Sequence, residues 1–272
     1  MRIEGGGYDL LVPRSRSFRR DVTRIATAAV WNGRWLRARC RRREEGVSIV
    51  IVNFNGDGFI QVAYSAIRRF SPANVQVLVV DNASSDPSAD WLRGQRDIET
   101  AFVARNIGHG PALDLGFHRV RTTRVIALDA DAFPISDRWM PALLEPLDDP
   151  SAFVVGAETW RPYAHPCALA MRTKDFIDER CSFQVGTFAG HMRDVGEMIS
   201  VKHPNGVRLM PATETRGPGF VGSVFGGVVY HNFYGMRFQV EGTELLDGVT
   251  RDDVRTVWES AISKYLGDHE ED

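Results

Sequence analysis

Two aspartates one residue apart, Asp129 and Asp131, close the segment RVIALDAD at 124–131. Val125, Ile126 and Leu128 read as a buried strand, which puts both carboxylates at its carboxyl end with Ala130 between them pointing the other way. Such a pair suits a hard divalent cation. Mg²⁺ and Mn²⁺ take oxygen ligands, and in phosphate chemistry one or two carboxylates hold them together with phosphate oxygens of the substrate. Two solvated turn aspartates are the competing reading, because Asp is common in turns.

The elements that would position the pair are legible upstream. VSIVIVN (47–53) and VQVLVVD (75–81) are nearly continuous apolar, β-branched runs, the pattern of strands covered on both faces. A turn at Asn55 to Gly58 leads to a helix ending near Phe70, and Pro87 opens a second helix where a missing N–H costs nothing. A third strand is expected over 98–103, and the loop NIGHG (106–110) feeds a third helix before RVIALD. This alternation predicts an α/β fold with a single doubly wound, mainly parallel sheet, since parallel neighbours need crossover connections. Asn53, Asp81, Asn106 and Asp129 each end or closely follow a strand, the edge where such sheets bind ligands.

Beyond Asp131 the pattern loosens. Helices are expected over 139–147, 190–201 and 251–266, with strands at 152–157 and 167–171 and an apolar run at 220–230. A polar, aromatic loop after His231 is the candidate lid. Trp160, Tyr163, Phe183, Phe188, Phe233 and Tyr234 are aromatics that would build a stacking wall for a ring-bearing ligand or pack in the core.

The net charge of −2 conceals an asymmetry: residues 1–46 are arginine-rich, ending in Arg41, Arg42 and Arg43, while the chain closes on acids. We read 1–46 as a basic, partly helical extension, and 47–272 as one domain whose regular part spans 47–139 and whose looser part spans 140–272. A helix from about Arg19 to Arg42 would carry Ile25, Ala28, Ala29, Trp31 and Leu36 on one stripe. Docking on the domain is preferred for it over peripheral contact with an anionic membrane, and no nucleic-acid partner is expected. Cys40, Cys167 and Cys181 are odd in number and lack metal or disulfide spacing, no run reaches membrane-spanning length, and a cytoplasmic location is expected.

VSIVIVNFNG, VLVVDNASSD, NIGHGPALDLG and IALDADAFP, in this order, resemble family two glycosyltransferases of the A-type fold, rhamnosyltransferase-like members above all. The resemblance runs from Val47 to about Trp139, is looser to His231 and is absent before Val47, and it implies a glycosyltransferase domain over 47–272 with a nucleotide-sugar-binding half (47–139) and an acceptor-binding half (140–272). It implies that Asn53 and Phe54 lie against a nucleotide base, that Asp81 accepts a hydrogen bond from it, and that Asn106 and Gly108 line the ribose and diphosphate. Asp129 and Asp131 become the DXD motif, Asp129 reaching the ribose or the metal's shell and Asp131 binding Mn²⁺ or Mg²⁺, with His231 in VVYHNFYG as a further ligand. The family's late general base maps onto HMRDVGEMIS: Asp194 first and Glu197 second, although Arg193 stands where an acid is usual.

The implied activity is an inverting, metal-dependent transfer from a nucleotide-diphosphate sugar, UDP- or dTDP-linked by preference, to a hydroxyl acceptor such as a saccharide, glycolipid or natural product. A sugar-nucleotide nucleotidyltransferase would need a basic glycine-rich loop after the first strand, which NFNGDGF lacks. A non-catalytic nucleotide-binding relative is the third reading. Neither GxGxxG nor GxxxxGK[ST] occurs.

Overall fold

Alternating parity along the strands sorts their side chains into two cores, one on each face of a central sheet. The computed structural model describes residues 33–238 and 248–267, so the expected helical segment from Arg19 to Trp31 lies outside the described residues. Residues 33–39 form α1. Then come β1 (Glu44–Asn53), α2 (Phe59–Phe70), β2 (Gln76–Asp81), α3 (Pro87–Gly94), β3 (Ile98–Phe102), α4 (His109–Arg119), β4 (Thr122–Asp129), β5 (Ala132–Pro134) and α5 (Trp139–Leu144). They are followed by β6 (Val154–Ala157), β7 (His165–Arg172), α6 (Thr173–Asp178), β8 (Gly186–Phe188), β9 (His191–Arg193) and α7 (Glu197–Lys202). Last come β10 (Val207–Met210), β11 (Ala212–Arg216), β12 (Gly222–Phe225), β13 (Val229–Asn232), α8 (Gly235–Phe238) and α9 (Arg251–Tyr265).

The main sheet has seven strands in the order β10-β6-β7-β4-β1-β2-β3. Only β7 runs against its neighbours, so the expected mainly parallel, doubly wound sheet is present. Ile49, Ile51, Val77, Val79, Ile126 and Leu128 face the core that includes Ile60, Leu92 and Trp139 of α2, α3 and α5. Val50, Val52, Leu78, Val80, Val125 and Ala127 face Leu113 and Phe117 of α4 and Phe176 of α6. The visible end of the basic extension docks on this second face. Ala38 is buried there, Trp35 Nε1 donates to Ile177 O at 2.7 Å, and Arg180 lies 4.1 Å over the Trp35 ring.

A smaller antiparallel sheet, β11-β12-β13-β5, was not expected. The apolar run at 220–230 is split by Gly226 and Gly227, both at positive φ, into the hairpin β12-β13. Phe133, Tyr230 and Trp258 of α9 pack it against Phe59 of α2. The expected helix over 190–201 also needs correction. Ala189 (φ 51°) and Gly190 (φ 78°) form a tight left-handed turn that pairs β8 with β9, and α7 starts only at Glu197, after Gly196. Two consecutive left-handed residues suit the twist of a two-residue hairpin and cannot sit inside a helix. No helix among the described residues is long and apolar enough to cross a membrane.

The strap at 182–184, which leads to β8, is clamped to α4. Asp114, 1% exposed, accepts from Ser182 Oγ at 2.6 Å and from Phe183 N at 2.7 Å. A Cβ on Gly110 would meet Phe183 O at 2.4 Å, and one on Gly116 would meet Val50 Cγ1 at 2.3 Å, so both glycines of α4 mark close backbone approach. Phe117 adds ring contacts to Phe176 and Phe183 at 4.8 and 4.7 Å. Burial pushes the Asp114 carboxyl up from 3.8 to about 7, against the pull of its donors. A carboxyl raised in the folded state gives its full stabilisation below 3.8 and loses it as pH rises through about 7. Asp114→Asn keeps an acceptor for Phe183 N and puts an N–H donor opposite the Ser182 hydroxyl, which then accepts in place of donating. We expect this variant to melt above the wild type at pH 8 and to show no gain at pH 4, measured by thermal unfolding. An equal difference at both pH values would refute the assignment.

Candidate active site

Register brings the polar strand ends together. Asn53 lies opposite Asp81, and Val52 opposite Asp129, so β1, β2 and β4 finish on one edge. Asn53 ends β1 with its side chain fully buried, and Nδ2 contacts Asp81 Oδ1 (3.0 Å), Ser84 Oγ (3.0 Å) and Ser88 Oγ (2.8 Å). These contacts tie the first two loops together, while Oδ1 has no hydrogen-bond partner among the described residues. The neighbouring Phe54 is half-buried. Asp81, 2% exposed, accepts from Asn53 on one oxygen and from Ser84 N on the other at 3.2 Å, each oxygen keeping a second lone pair. Asn106 is exposed, and its Oδ1 accepts from Asn82 Nδ2 (2.9 Å) and Gly108 N (2.8 Å). These bonds hold the loop in front of α4, where Gly108 takes φ 90°.

At the end of β4, strand parity turns Asp129 toward the α4 side. There it meets His109, a residue that the sequence reading left unused although it stands inside NIGHG. His109 Nε2 lies 3.2 Å from Asp129 Oδ1. On the other side, β13 pairs with β5 so that His231 stands opposite Ala132, next to Asp131 in the chain. His231 Nε2 is 3.4 Å from Asp131 Oδ1 and 3.6 Å from Asp129 Oδ2. Asp131 Oδ2 accepts from Met236 N at 3.0 Å, and a Cβ on Gly235 would come within 2.8 Å of Asp131, so α8 closes tightly over the carboxylate.

The charges in this cluster support one another. Burial disfavours ionised Asp129, but His109 and His231 more than offset it and hold the carboxyl well below its usual range. Burial likewise works against charge on His109, and Asp129 overcomes it, so its pKa is raised. His231 is raised well above its ordinary value: burial opposes this, while Cys167 and Asp131 favour the charged ring. The cluster fits a divalent cation. Ligand atoms of Asp129, Asp131 and His231 lie within 4.8 Å of one another. Asp129 Oδ1 is buried without a well-aligned donor among the described residues. Two carboxylates and one imidazole are a donor set suited to Mn²⁺ or Mg²⁺.

The two candidate bases part company. Glu197 is 3% exposed and carries ion pairs to Arg161 (2.6 Å) and Arg193 (2.9 Å), and it accepts from Asp194 N at 2.8 Å. Burial raises its pKa, but the backbone donor and both arginines outweigh that and lower it. These contacts tie Glu197 to two arginines and to the backbone ahead of α7. Asp194 is half-buried, with Oδ1 accepting from Val195 N at 2.7 Å and Oδ2 from Tyr163 Oη at 3.3 Å. Its charge is among those that favour the protonated His109 ring. Of the aromatics, Phe183 and Tyr163 are core residues, Phe233 packs 4.2 Å from His231, and Trp160 and Phe188 are exposed. Among the other histidines, His165 Nδ1 accepts from Cys167 N and His203 stacks on Phe153.

Asp131→Asn should weaken Mn²⁺ binding, measured by electron paramagnetic resonance with nucleotide present, about tenfold or more. Unchanged affinity would remove Asp131 from the site. Glu197→Gln should lower unfolding stability by about 1 to 3 kcal/mol, the arginines being partly solvated. Asp194→Asn should leave stability nearly unchanged; equal losses in the two variants would contradict the separation of roles.

Structures with related coordinates include three that can be compared directly. S. aureus TarS 1-349 in complex with UDP is 15% identical with a TM-score of 0.43, covering 51% of this chain and 50% of that one. The mannosyltransferase PcManGT from Pyrobaculum calidifontis, in complex with GDP-Man and Mn²⁺, is 17% identical with a TM-score of 0.49, covering 72% and 69%. S. aureus TarS 1-349 in a further structure is 13% identical with a TM-score of 0.48, covering 81% and 72%. The chain thus spans half the length of the first of these. No curated protein matches it. Residues 48–194, which hold the first four strands, both DXD aspartates and Asp194, match the model for Glycosyl transferase family 2. The chain belongs to glycosyl transferase family 2.

Proposed function

We propose that the protein transfers a sugar, with inversion at the anomeric carbon, from a nucleotide-diphosphate donor to an acceptor hydroxyl in a reaction that needs a divalent cation. The convergence of Asp129, Asp131 and His231 on the ligand-binding edge of a family 2 domain carries this reading. In this reading Phe54, Asp81, Asn106 and Gly108 receive the nucleotide at that edge. A uridine or thymidine donor is our preference, because an Asp81 lone pair suits an imide N–H. The rhamnosyltransferase-like character remains part of this proposal and rests on the sequence motifs.

Asp194 is the base in this scheme. Val195 N and Tyr163 Oη fix the carboxylate and leave it lone pairs for the acceptor O–H. It takes the proton as that oxygen attacks the anomeric carbon from the face opposite the diphosphate, and the glycosidic bond electrons leave with the nucleotide diphosphate. A Mn²⁺ or Mg²⁺ ion held by Asp129, Asp131 and His231 would stabilise electrostatically the negative charge that the leaving group gains. His109, raised by Asp129, adds positive charge on the α4 side.

Nucleotide release from a panel of UDP-, dTDP- and GDP-sugars, with and without Mn²⁺, tests the scheme. Cation-dependent hydrolysis of one donor is expected, and exchange of pyrophosphate into the donor would instead indicate a nucleotidyltransferase. Asp194→Ala should keep donor affinity and lose about 10² to 10⁴ in turnover. Near-normal turnover would exclude Asp194 as the base.

A further inference from the structure

Helix α1 packs on the domain with one face and leaves the other bare. Its inward residues are Ala38, 3% exposed, and Trp35, whose Nε1 donates to Ile177 O. Leu36 and Cys40 stand two positions before and after Ala38, and Cys40 N donates to Leu36 O at 3.0 Å, so both fall on the face opposite Ala38. They are exposed, Leu36 by 54%. Arg37 and Arg39, one position to either side of Ala38, are exposed as well and flank this ridge. An apolar ridge with a guanidinium group along each side is therefore open to solvent.

The surface around α1 is basic. Residues 33–46 hold six arginines against two acids, Glu44 and Glu45, and residues 1–32 add six arginines against three acids. Glu44 N donates to Arg121 O at 2.8 Å, which brings the exposed Arg121 beside this segment. Burial and then repulsion from Arg121 lower the Arg41 pKa, with Arg119 and Arg43 adding to the repulsion and Glu99 opposing it. Two acids on this side are already engaged, Glu99 with Arg119 at 2.8 Å and Asp178 with Lys174. All of this lies at the amino ends of the strands. Thr122, next to Arg121, opens β4 and Asp129 closes it, roughly 25 Å away over eight residues of strand.

A single-stranded nucleic acid would stack its bases on exposed rings between phosphate contacts. The Trp35 indole is already taken by Arg39 and Arg180, at 5.3 and 4.1 Å, and Leu36 is the large apolar side chain exposed at this edge among the described residues. An aliphatic ridge between arginines instead matches an anionic bilayer: guanidinium groups meet lipid phosphates while Leu36 enters the acyl boundary.

We propose that this face, Leu36 and Cys40 between Arg37 and Arg39 with Arg42 and Arg121 beside them, holds the protein on an anionic lipid surface. The contact is independent of the transferase reading, because it uses no residue of the ligand-binding edge.

Sedimentation of the full chain with vesicles tests it. Vesicles of phosphatidylglycerol mixed with phosphatidylcholine should carry the protein down, phosphatidylcholine alone should not, and high salt should release most of it. An arginine near an anionic bilayer contributes about fivefold in affinity, so a variant combining Arg37→Gln, Arg42→Gln and Arg121→Gln should bind about a hundredfold more weakly. Leu36→Ser should weaken binding about fivefold, and it remains readable even where the triple variant loses its fold. Equal binding to both kinds of vesicle would overturn the proposal. So would a triple variant that binds like the wild type, since the contact would then belong to residues 1–32. Normal binding by Leu36→Ser would remove the inserted ridge and with it the proposed mode. Single-stranded RNA or duplex DNA bound more tightly than the phosphatidylglycerol vesicles, with the same loss in the triple variant, would make this a nucleic-acid surface and overturn it as well.

Discussion

Holding two carboxylates close together at the buried end of a strand is the constraint on which this molecule turns. Asp129 and Asp131 would repel each other there and lose hydration, and each is relieved by a partner from a different element. His109 comes from the start of α4, His231 from β13, and Met236 N from the start of α8. The smaller sheet has a clear purpose in this light. By pairing with β5, β13 carries His231 to the carboxylates and ties the late part of the chain to the edge of the main sheet. A cation there would replace repulsion with attraction.

Helix α4 is the second support. Its first residue contacts Asp129, its glycines let it lie close on β1 and on the strap at 182–184, and Asp114 binds that strap by two hydrogen bonds. The strap leads through the hairpin to Asp194. One helix therefore supports both the Asp129 end of β4 and the strap that leads to Asp194, and Phe117 seals the joint through ring contacts with Phe176 and Phe183. Asp114 is held neutral more readily than an ordinary carboxyl, as befits an anchor under the site.

Around Asp194, Glu197 is the organising residue. Its two ion pairs position Arg161 and Arg193, and these stack in turn on exposed rings. Arg193, which looked like a defect in the motif, is the residue that joins the hairpin to α7. A buried acid between two arginines is poorly suited to accept a proton, whereas Asp194 has only neutral donors at its oxygens.

The sequence by itself determined the sheet and its ligand-binding edge. Continuous apolar runs such as VSIVIVN can only be covered on both sides, and the polar residues that end them must share one edge once the strands are parallel. It also singled out Asp129, Asp131 and Asp194. Tertiary structure decided how the polar residues are used. Asn53 ends a strand in the sequence, and only the fold brings its Nδ2 against Asp81, Ser84 and Ser88 of the next loop. Glu197 is one helical turn's spacing from Arg193, yet its second partner, Arg161, comes from a distant loop. His109 had no period or spacing to mark it, and its meaning depends on the parity that turns Asp129 toward α4. The hairpins at 186–193 and 222–232 hinge on left-handed pairs at Ala189-Gly190 and Gly226-Gly227, local conformations that outweighed helical periodicity in one case and a continuous apolar run in the other. His231 lies a hundred positions from the aspartates in the chain, and only the β13-β5 register places its imidazole between them.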